Sequence, residues 1–266
     1  MTDTMSPSSH AAFDLSGRRA KAEKIRRLIP LPGTGGTVLR LLEVGTGSGA
    51  IAHYFSALAA PRFDVQAIDV SDQRRIYEGY RFQLYDGRHL PFEDAAFDIV
   101  ISNHVIEHVG DRAQQADHLS ELCRVLAPGG YVYLATPSRW QIVEPHFALP
   151  LLSWIPRRWR DGYVRITSKG ERYDCDLLRP TELRRLLDAG GLPYRNLNVQ
   201  ALREFVTLEW HRSLFARLVA VLPGWLLQLF NDLSPTLIYL IHRPGSPASD
   251  SHNRAQARVS SEGYRS

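Results

Sequence analysis

LLEVGTGSGAIA, Leu41 to Ala52, decides the fold. An apolar run (Val38, Leu39, Leu41, Leu42) ends in Glu43. Gly45, Gly47 and Gly49 then alternate with Thr46 and Ser48 ahead of a helix-like segment. A buried strand that breaks into a glycine turn and opens a helix builds a nucleotide crevice. Glycine reaches backbone angles closed to other residues and lets a ligand approach the main chain. The first helical turn adds unpaired N–H groups. Gly45, Gly47 and Ala50 also satisfy the dinucleotide fingerprint, so the turn alone leaves NAD open, and an ordinary strand-to-helix turn remains the simpler alternative.

The residues downstream narrow the choice. FDVQAIDVS (Phe63–Ser71) predicts a second strand ending in Asp69. That carboxylate lies about twenty residues after the turn, where it can accept hydrogen bonds from ribose hydroxyls. FQLYDGRHLPF (Phe82–Phe92) predicts a third strand ending at Asp86. FDIVISNHVIEHV (Phe97–Val109) predicts a fourth that turns polar at Ser102 and Asn103. ELCRVLAPGGYVYLATP (Glu121–Pro137) reads as a helix end, a Pro-Gly-Gly turn and a fifth strand.

With these motifs in order, the chain resembles the class I S-adenosylmethionine-dependent methyltransferases, in the type 11 branch that includes the ubiquinone- and menaquinone-type enzymes. The resemblance rests on EVGTGSG (Glu43–Gly49), IDVS (Ile68–Ser71), YDGRHLPFEDAAFDIV (Tyr85–Val100), SNHVIEHV (Ser102–Val109) and LAPGGYVYLATP (Leu126–Pro137). It covers residues 37–137 well and 175–243 loosely. It implies an α/β fold: a Rossmann-like, seven-stranded, mostly parallel sheet with helices on both faces and the last strand antiparallel. It also implies S-adenosylmethionine as cofactor. Glu43, Gly45, Thr46 and Gly47 would face its methionine and ribose part, Asp69 and Val70 its ribose, Asp86 and Gly87 its adenine, and Asn103 and His104 its sulfonium side.

His108, after the fourth strand, is a candidate general base, because an imidazole can take a hydroxyl proton near neutral pH. Packing at the start of the next helix is its alternative role. His146, in EPHF, is a second candidate base or a packing residue. His104-Val-Ile-Glu107-His108 also fits the inverted zinc-peptidase motif, which needs both histidines on one helical face. The strand FDIVISN runs into it, so no metal site is expected.

The 266 residues fit one large domain, and 44% apolar content supports a sizeable core. Residues 1–17 and 244–266 read as disordered ends of a domain over 18–243, with an acceptor-site or lid insertion at about 138–172. Residues 18–29 predict a basic helix with Ile25, Leu28 and Ile29 on its apolar side. Thr181 is the expected N-cap of a helix over Arg179–Leu192, followed by a strand over Tyr194–Val199. The two cysteines, Cys123 and Cys175, have no metal or redox spacing, which fits a reducing cytoplasm.

Net charge is +4, concentrated in Arg18–Arg27 and Pro156–Arg160. Solvated surface and attraction to an anionic lipid surface are the two readings of these runs. Leu214–Phe230 is apolar but too interrupted to span a bilayer, which leaves core packing or an interfacial helix. No nucleic-acid module is recognisable. The expected activity is methyl transfer, most simply to oxygen, on a small or lipid-linked acceptor, with possible peripheral membrane contact. A catalytically inactive cofactor-binding subunit and an NAD-dependent oxidoreductase are the alternatives.

Overall fold

The computed structural model describes residues 15–31, 37–144, 147–173, 175–191, 193–209, 219 and 221–244. The expectations for residues 1–14 and 245–266, and for residues 214–218 and 220, lie outside them. The strands in chain order are β1 (Leu39–Val44), β2 (Phe63–Asp69), β3 (Arg81–Leu84), β4 (Phe97–Asn103), β5 (Leu126–Pro137), β6 (Val143–Glu144), β7 (Leu149–Pro150), β8 (Tyr194–Asn196) and β9 (Thr236–His242). Seven form one sheet in the order β3-β2-β1-β4-β5-β9-β8, while β6 and β7 pair separately as an antiparallel hairpin. β3, β2, β1, β4 and β5 run parallel, and β9 is antiparallel to both β5 and β8, as expected for the last strand. From β1 the chain order runs outward in both directions, to β2 and β3 on one side and β4 and β5 on the other. The C-terminal ends of β1 and β4 therefore open a crevice at the switch point.

The strand sequences explain why both faces are covered. Side chains alternate across a strand. Leu39 and Leu41, Val65 and Ala67, Ile99 and Ile101, Tyr133 and Ala135, and Ile238 and Leu240 enter one core. Leu42 and Val44, Ile68, Val100, Val132 and Leu134, and Tyr239 and Ile241 enter the other. Apolar residues at both parities mark a sheet buried on both faces.

The first core is closed by α1 (Leu15–Leu28), α2 (Ala50–Ser56) and α6 (Asn198–Glu209). The second is closed by α3 (Arg112–Arg124) and α5 (Pro180–Gly190). Ile25, Leu28 and Ile29 are buried, as the helical spacing predicted. α4 (Arg157–Ile166) lies in the insertion and α7 (Gly224–Gln228) precedes β9.

Several expectations need correction. The connections 70–80 and 85–96 contain no helix, so strand and helix do not alternate throughout. Instead Ser48 O accepts from the backbone N–H groups of Arg75 and Ile76. The Arg124 guanidinium clamps the second connection by donating to Phe92 O (2.7 Å), Leu90 O (2.9 Å) and Asp94 (2.9 Å). β3 stops at Leu84, two residues short of Asp86. The N-cap of α5 is Arg179, not Thr181, because Pro180, with its preset φ, takes the first helical position. β8 ends at Asn196, whose Oδ1 accepts from Asn198 N at 2.9 Å as α6 begins.

The insertion after Pro137 is folded. Phe147, Leu149, Leu152 and Val164 form a small core with Tyr163 and Tyr173. Arg139 N donates to Leu178 O, tying its start to the chain beyond it. The end of the apolar stretch divides. Val219 and Leu227 pack with Val206 of α6, whereas Val221, Trp225, Leu229 and Phe230 are exposed.

Candidate active site

The glycine turn is held from three sides. Gly45 N donates to Ile68 O at 2.9 Å, so the end of β1 is sewn to β2. At Gly45 the backbone has φ +74°, and a Cβ there would overlap the Val105 side chain. Asp69 closes the turn: Oδ2 accepts from Gly47 N at 2.8 Å and Oδ1 from Val70 N at 2.8 Å. A carboxylate offers about four acceptor positions, so it can take further donors, such as a diol, beyond these bonds.

Glu43 is buried, and its Oε2 accepts from Thr46 Oγ1 (3.1 Å) and Ala52 N (3.0 Å). Burial pushes its carboxyl up to about 8, against the Thr46 and Ala52 hydrogen bonds and the charge of Arg18. The side chain thus braces the turn against α2. The folded carboxyl keeps its proton to about 8 while an unfolded one releases it near 4.5. The folded protein binds the extra proton, so stability falls as pH rises through that window. Glu43→Gln removes this penalty. Its urea midpoint relative to the unsubstituted protein is expected to rise from pH 5 to pH 8 and level off above, and a gap that narrows over that range refutes the assignment.

Arg18 was missed by sequence reasoning, which placed it in a surface run. Among the described residues a Cβ at Gly47 would meet only the Arg18 guanidinium, at 3.8 Å, so α1 carries a cation to the turn. Arg26 and Arg27 of the same run are used internally. Glu23 accepts from Arg26 (3.0 Å), Arg27 (2.6 Å) and Tyr54 of α2, while Arg27 donates to Glu204 of α6 at 3.2 Å. The Glu23 pairs with Arg26 and Arg27 stand at helical i,i+3 and i,i+4 spacing; only the contacts to Tyr54 and Glu204 cross between elements and leave no trace in the local sequence.

Beyond β3, Asp86 Oδ1 accepts from Arg88 N (2.8 Å) and His89 N (3.0 Å), and these bonds hold its carboxyl below the usual range. Gly87 has φ +81° and approaches Val70 Cγ1 to the point where a Cβ would stand 3.0 Å away. Val70 is 61% exposed, an apolar shelf beside the Asp86 turn.

At the end of β4, Asn103 leads into His104, whose φ is +61° and whose N–H donates to Ala135 O at 2.8 Å. Ser102 Oγ lies 3.1 Å from Nε2 of the buried His118, which burial pushes down to about 4. Residues Ile106–His108 form a single 3₁₀ turn, so His104 and His108 do not share the helix that the zinc-peptidase motif requires. His108 Nδ1 lies 3.7 Å from Cys175 Sγ. His146 lies outside the described residues. Among the described residues no cluster suited to a metal ion is found. Cavities of about 250 and 300 Å³, beside Arg27 and Glu204 and beside Arg40 and Phe92, lie away from the glycine turn.

The chain is similar to known proteins. Residues 42–134 match the family described as "Methyltransferase domain". A probable S-adenosylmethionine-dependent methyltransferase of Mycolicibacterium smegmatis is 36% identical over 104 residues, 37% of this chain and 38% of that protein. A ubiquinone biosynthesis O-methyltransferase of Chelativorans sp. is 27% identical over 190 residues, 66% of each chain. The crystal structure of an S-adenosylmethionine-dependent methyltransferase from Mesorhizobium loti superposes with TM-score 0.53 at 16% identity, covering 86% of this chain and all of that one. These alignments to the curated relatives span less than two thirds of their length. Fold, motif order and family match agree. Residues 42–134 are a class I methyltransferase domain of the type 11 branch, whose cofactor is S-adenosylmethionine.

Proposed function

We propose that the chain transfers a methyl group from S-adenosylmethionine to a hydroxyl of a bulky, apolar acceptor. The observation that carries the reading is the convergence of the Gly45–Gly49 turn, Asp69 and Asp86 at adjacent strand ends, each offering a different hydrogen-bonding surface. Asp69 would hold the ribose hydroxyls, the Asp86–Gly87 turn and Val70 the adenine, and Arg18 the cofactor's carboxylate. Asn103 and His104 would line the reacting side. The cofactor supplies a methyl group already activated on a positively charged sulfur. The protein's part is therefore orientation and proton handling. Calorimetry is expected to show binding of S-adenosylhomocysteine, and labelled methyl is expected to pass to a fraction of a cell lipid extract. NADH binding without a response to S-adenosylhomocysteine overturns the reading; cofactor binding without transfer to any fraction leaves an inactive cofactor-binding subunit.

The apolar acceptor is supported by the insertion and the segment before β9. On α4, Arg157, Arg158, Trp159, Arg165 and Ile166 are exposed, and Ile142, Val143 and Trp154 of the same insertion are also exposed. A basic helix with bare Trp and Ile fits an anionic bilayer surface, where each well-placed Lys or Arg adds about 1 kcal/mol. The relative from Chelativorans is named for ubiquinone biosynthesis. No helix among the described residues is long and apolar enough to cross a membrane, so the contact would be peripheral. Co-sedimentation with anionic vesicles at low salt is expected, weakened in Trp159→Glu. Protein that stays in the supernatant argues for an acceptor free in solution.

A further inference from the structure

We infer that His104, oriented by Glu107, is the group that takes the proton from the methyl acceptor. The inference rests on the methyl-transfer reading above and names the base within it. Glu107 is fully buried, which is costly for a carboxylate without partners. Its Oε2 accepts from Thr136 Oγ1 of β5 at 2.9 Å. Its backbone oxygen accepts from Asp176 N at 2.8 Å, fixing the turn that carries it. Oε1 has no hydrogen-bond partner of good geometry and faces His104 Nδ1 at 3.5 Å. Such a pair can tighten when ligands close the site.

The imidazole of His104 is 27% exposed and Glu107 not at all, so the pair has one buried end and one open end. The left-handed backbone at His104 follows directly on β4, and the next residue, Val105, packs on Gly45 of the cofactor turn. Nε2 is thus the outer end of a carboxylate–imidazole pair beside the cofactor cleft. His108 is placed differently: its Nδ1 lies 3.7 Å from the Cys175 thiol, and Glu107 acts on it through its charge.

Glu107 is faced by His104 and His108 on its own segment, His118 on α3, Thr136 on β5 and Tyr173 after α4. Burial works to raise its carboxyl, but the nearness and charge of His104, with the charge of His108, hold it below the ordinary value. His118 is pushed down to about 4 and is neutral at pH 7.

In the proton step the acceptor O–H bond breaks and the proton joins His104 Nε2. The oxygen's electron pair forms the bond to the methyl carbon, and the pair of the broken carbon–sulfur bond stays on sulfur. Glu107 balances the imidazolium and is a positioning residue.

The test uses the full chain labelled with ¹⁵N-histidine, with His104→Asn and His108→Asn as assignment controls. His104 is expected to carry its proton on Nδ1 when neutral, and its titration midpoint is expected to fall by about one pH unit in Glu107→Gln. A midpoint unmoved by Glu107→Gln overturns the pair. With labelled cofactor and the lipid-extract fraction that takes label, His104→Asn is expected to lower kcat by at least about a hundredfold. S-adenosylhomocysteine affinity should change far less. In Glu107→Gln the acid limb of the kcat profile should move with the imidazole midpoint. A larger kcat loss in His108→Asn than in His104→Asn overturns the assignment. If the unsubstituted protein labels no fraction, methyl transfer is wrong, while the titration still decides whether Glu107 holds His104.

Discussion

Gly49→Ala is expected to destabilise the fold by about 2–5 kcal/mol, combining the left-handed backbone term with overpacking. Gly49 is the N-cap of α2 at φ +81°. A Cβ there would land on Tyr80 Oη and on the carbonyl oxygen of Ile76. Neither can retreat easily, because Tyr80 Oη donates to that same carbonyl and the backbone N–H groups of Arg75 and Ile76 are bonded to Ser48 O. Gly129→Ala is the matched control: Gly129 has φ +82°, but among the described residues a methyl added there would meet nothing within 4 Å. It should show the backbone term alone, about 1–2 kcal/mol. Urea unfolding of the two variants separates strain from packing. Equal midpoint losses would mean that the 70–80 connection gives way.

The difference between these two glycines shows where sequence reading reaches and where it stops. Gly49 closes the glycine turn, whereas the expected Pro-Gly-Gly turn is part of β5, with Gly129 inside the strand at φ +82°; the sequence announces both as glycine positions. Only the fold brings Tyr80 across the first one. The strands were legible because each alternates between two cores, so Leu41 and Leu42, or Ile99 and Val100, had to face opposite ways. Asp69 closes β2 as the sequence predicted, whereas Asp86 lies two residues beyond the end of β3. Arg18, Glu107 and Thr136 were not legible, since each acts across elements: Arg18 reaches from α1 to the Gly47 turn, and Thr136 reaches from β5 to Glu107. The Arg18–Arg27 run read as one basic surface, yet Glu23 sits inside it and binds Arg26, Arg27 and Tyr54. Composition cannot distinguish a solvated arginine from one used to clamp two helices.

Asp69→Ala is expected to weaken S-adenosylhomocysteine binding by about 1.5–3 kcal/mol, the worth of charge-assisted hydrogen bonds to the ribose. That corresponds to a loss of roughly tenfold to a hundredfold or more in affinity. A strand-end carboxylate outside the core would leave stability little changed, but the geometry here says otherwise. Asp69 accepts from Gly47 N at 2.8 Å, from Val70 N at 2.8 Å and from Ser71 N at 3.4 Å. Truncation leaves at least two backbone donors without a charged partner, so a stability loss of about 1–3 kcal/mol should accompany the binding defect. The two effects are separable. Asp69→Asn keeps an acceptor for Val70 N but puts an amide where Gly47 N and the ribose both need one, so it should recover part of the stability and little of the affinity. Calorimetry is therefore run at a temperature where both variants are folded by circular dichroism. A folded Asp69→Ala protein with unchanged affinity would show that the carboxylate only closes the turn and never meets the cofactor.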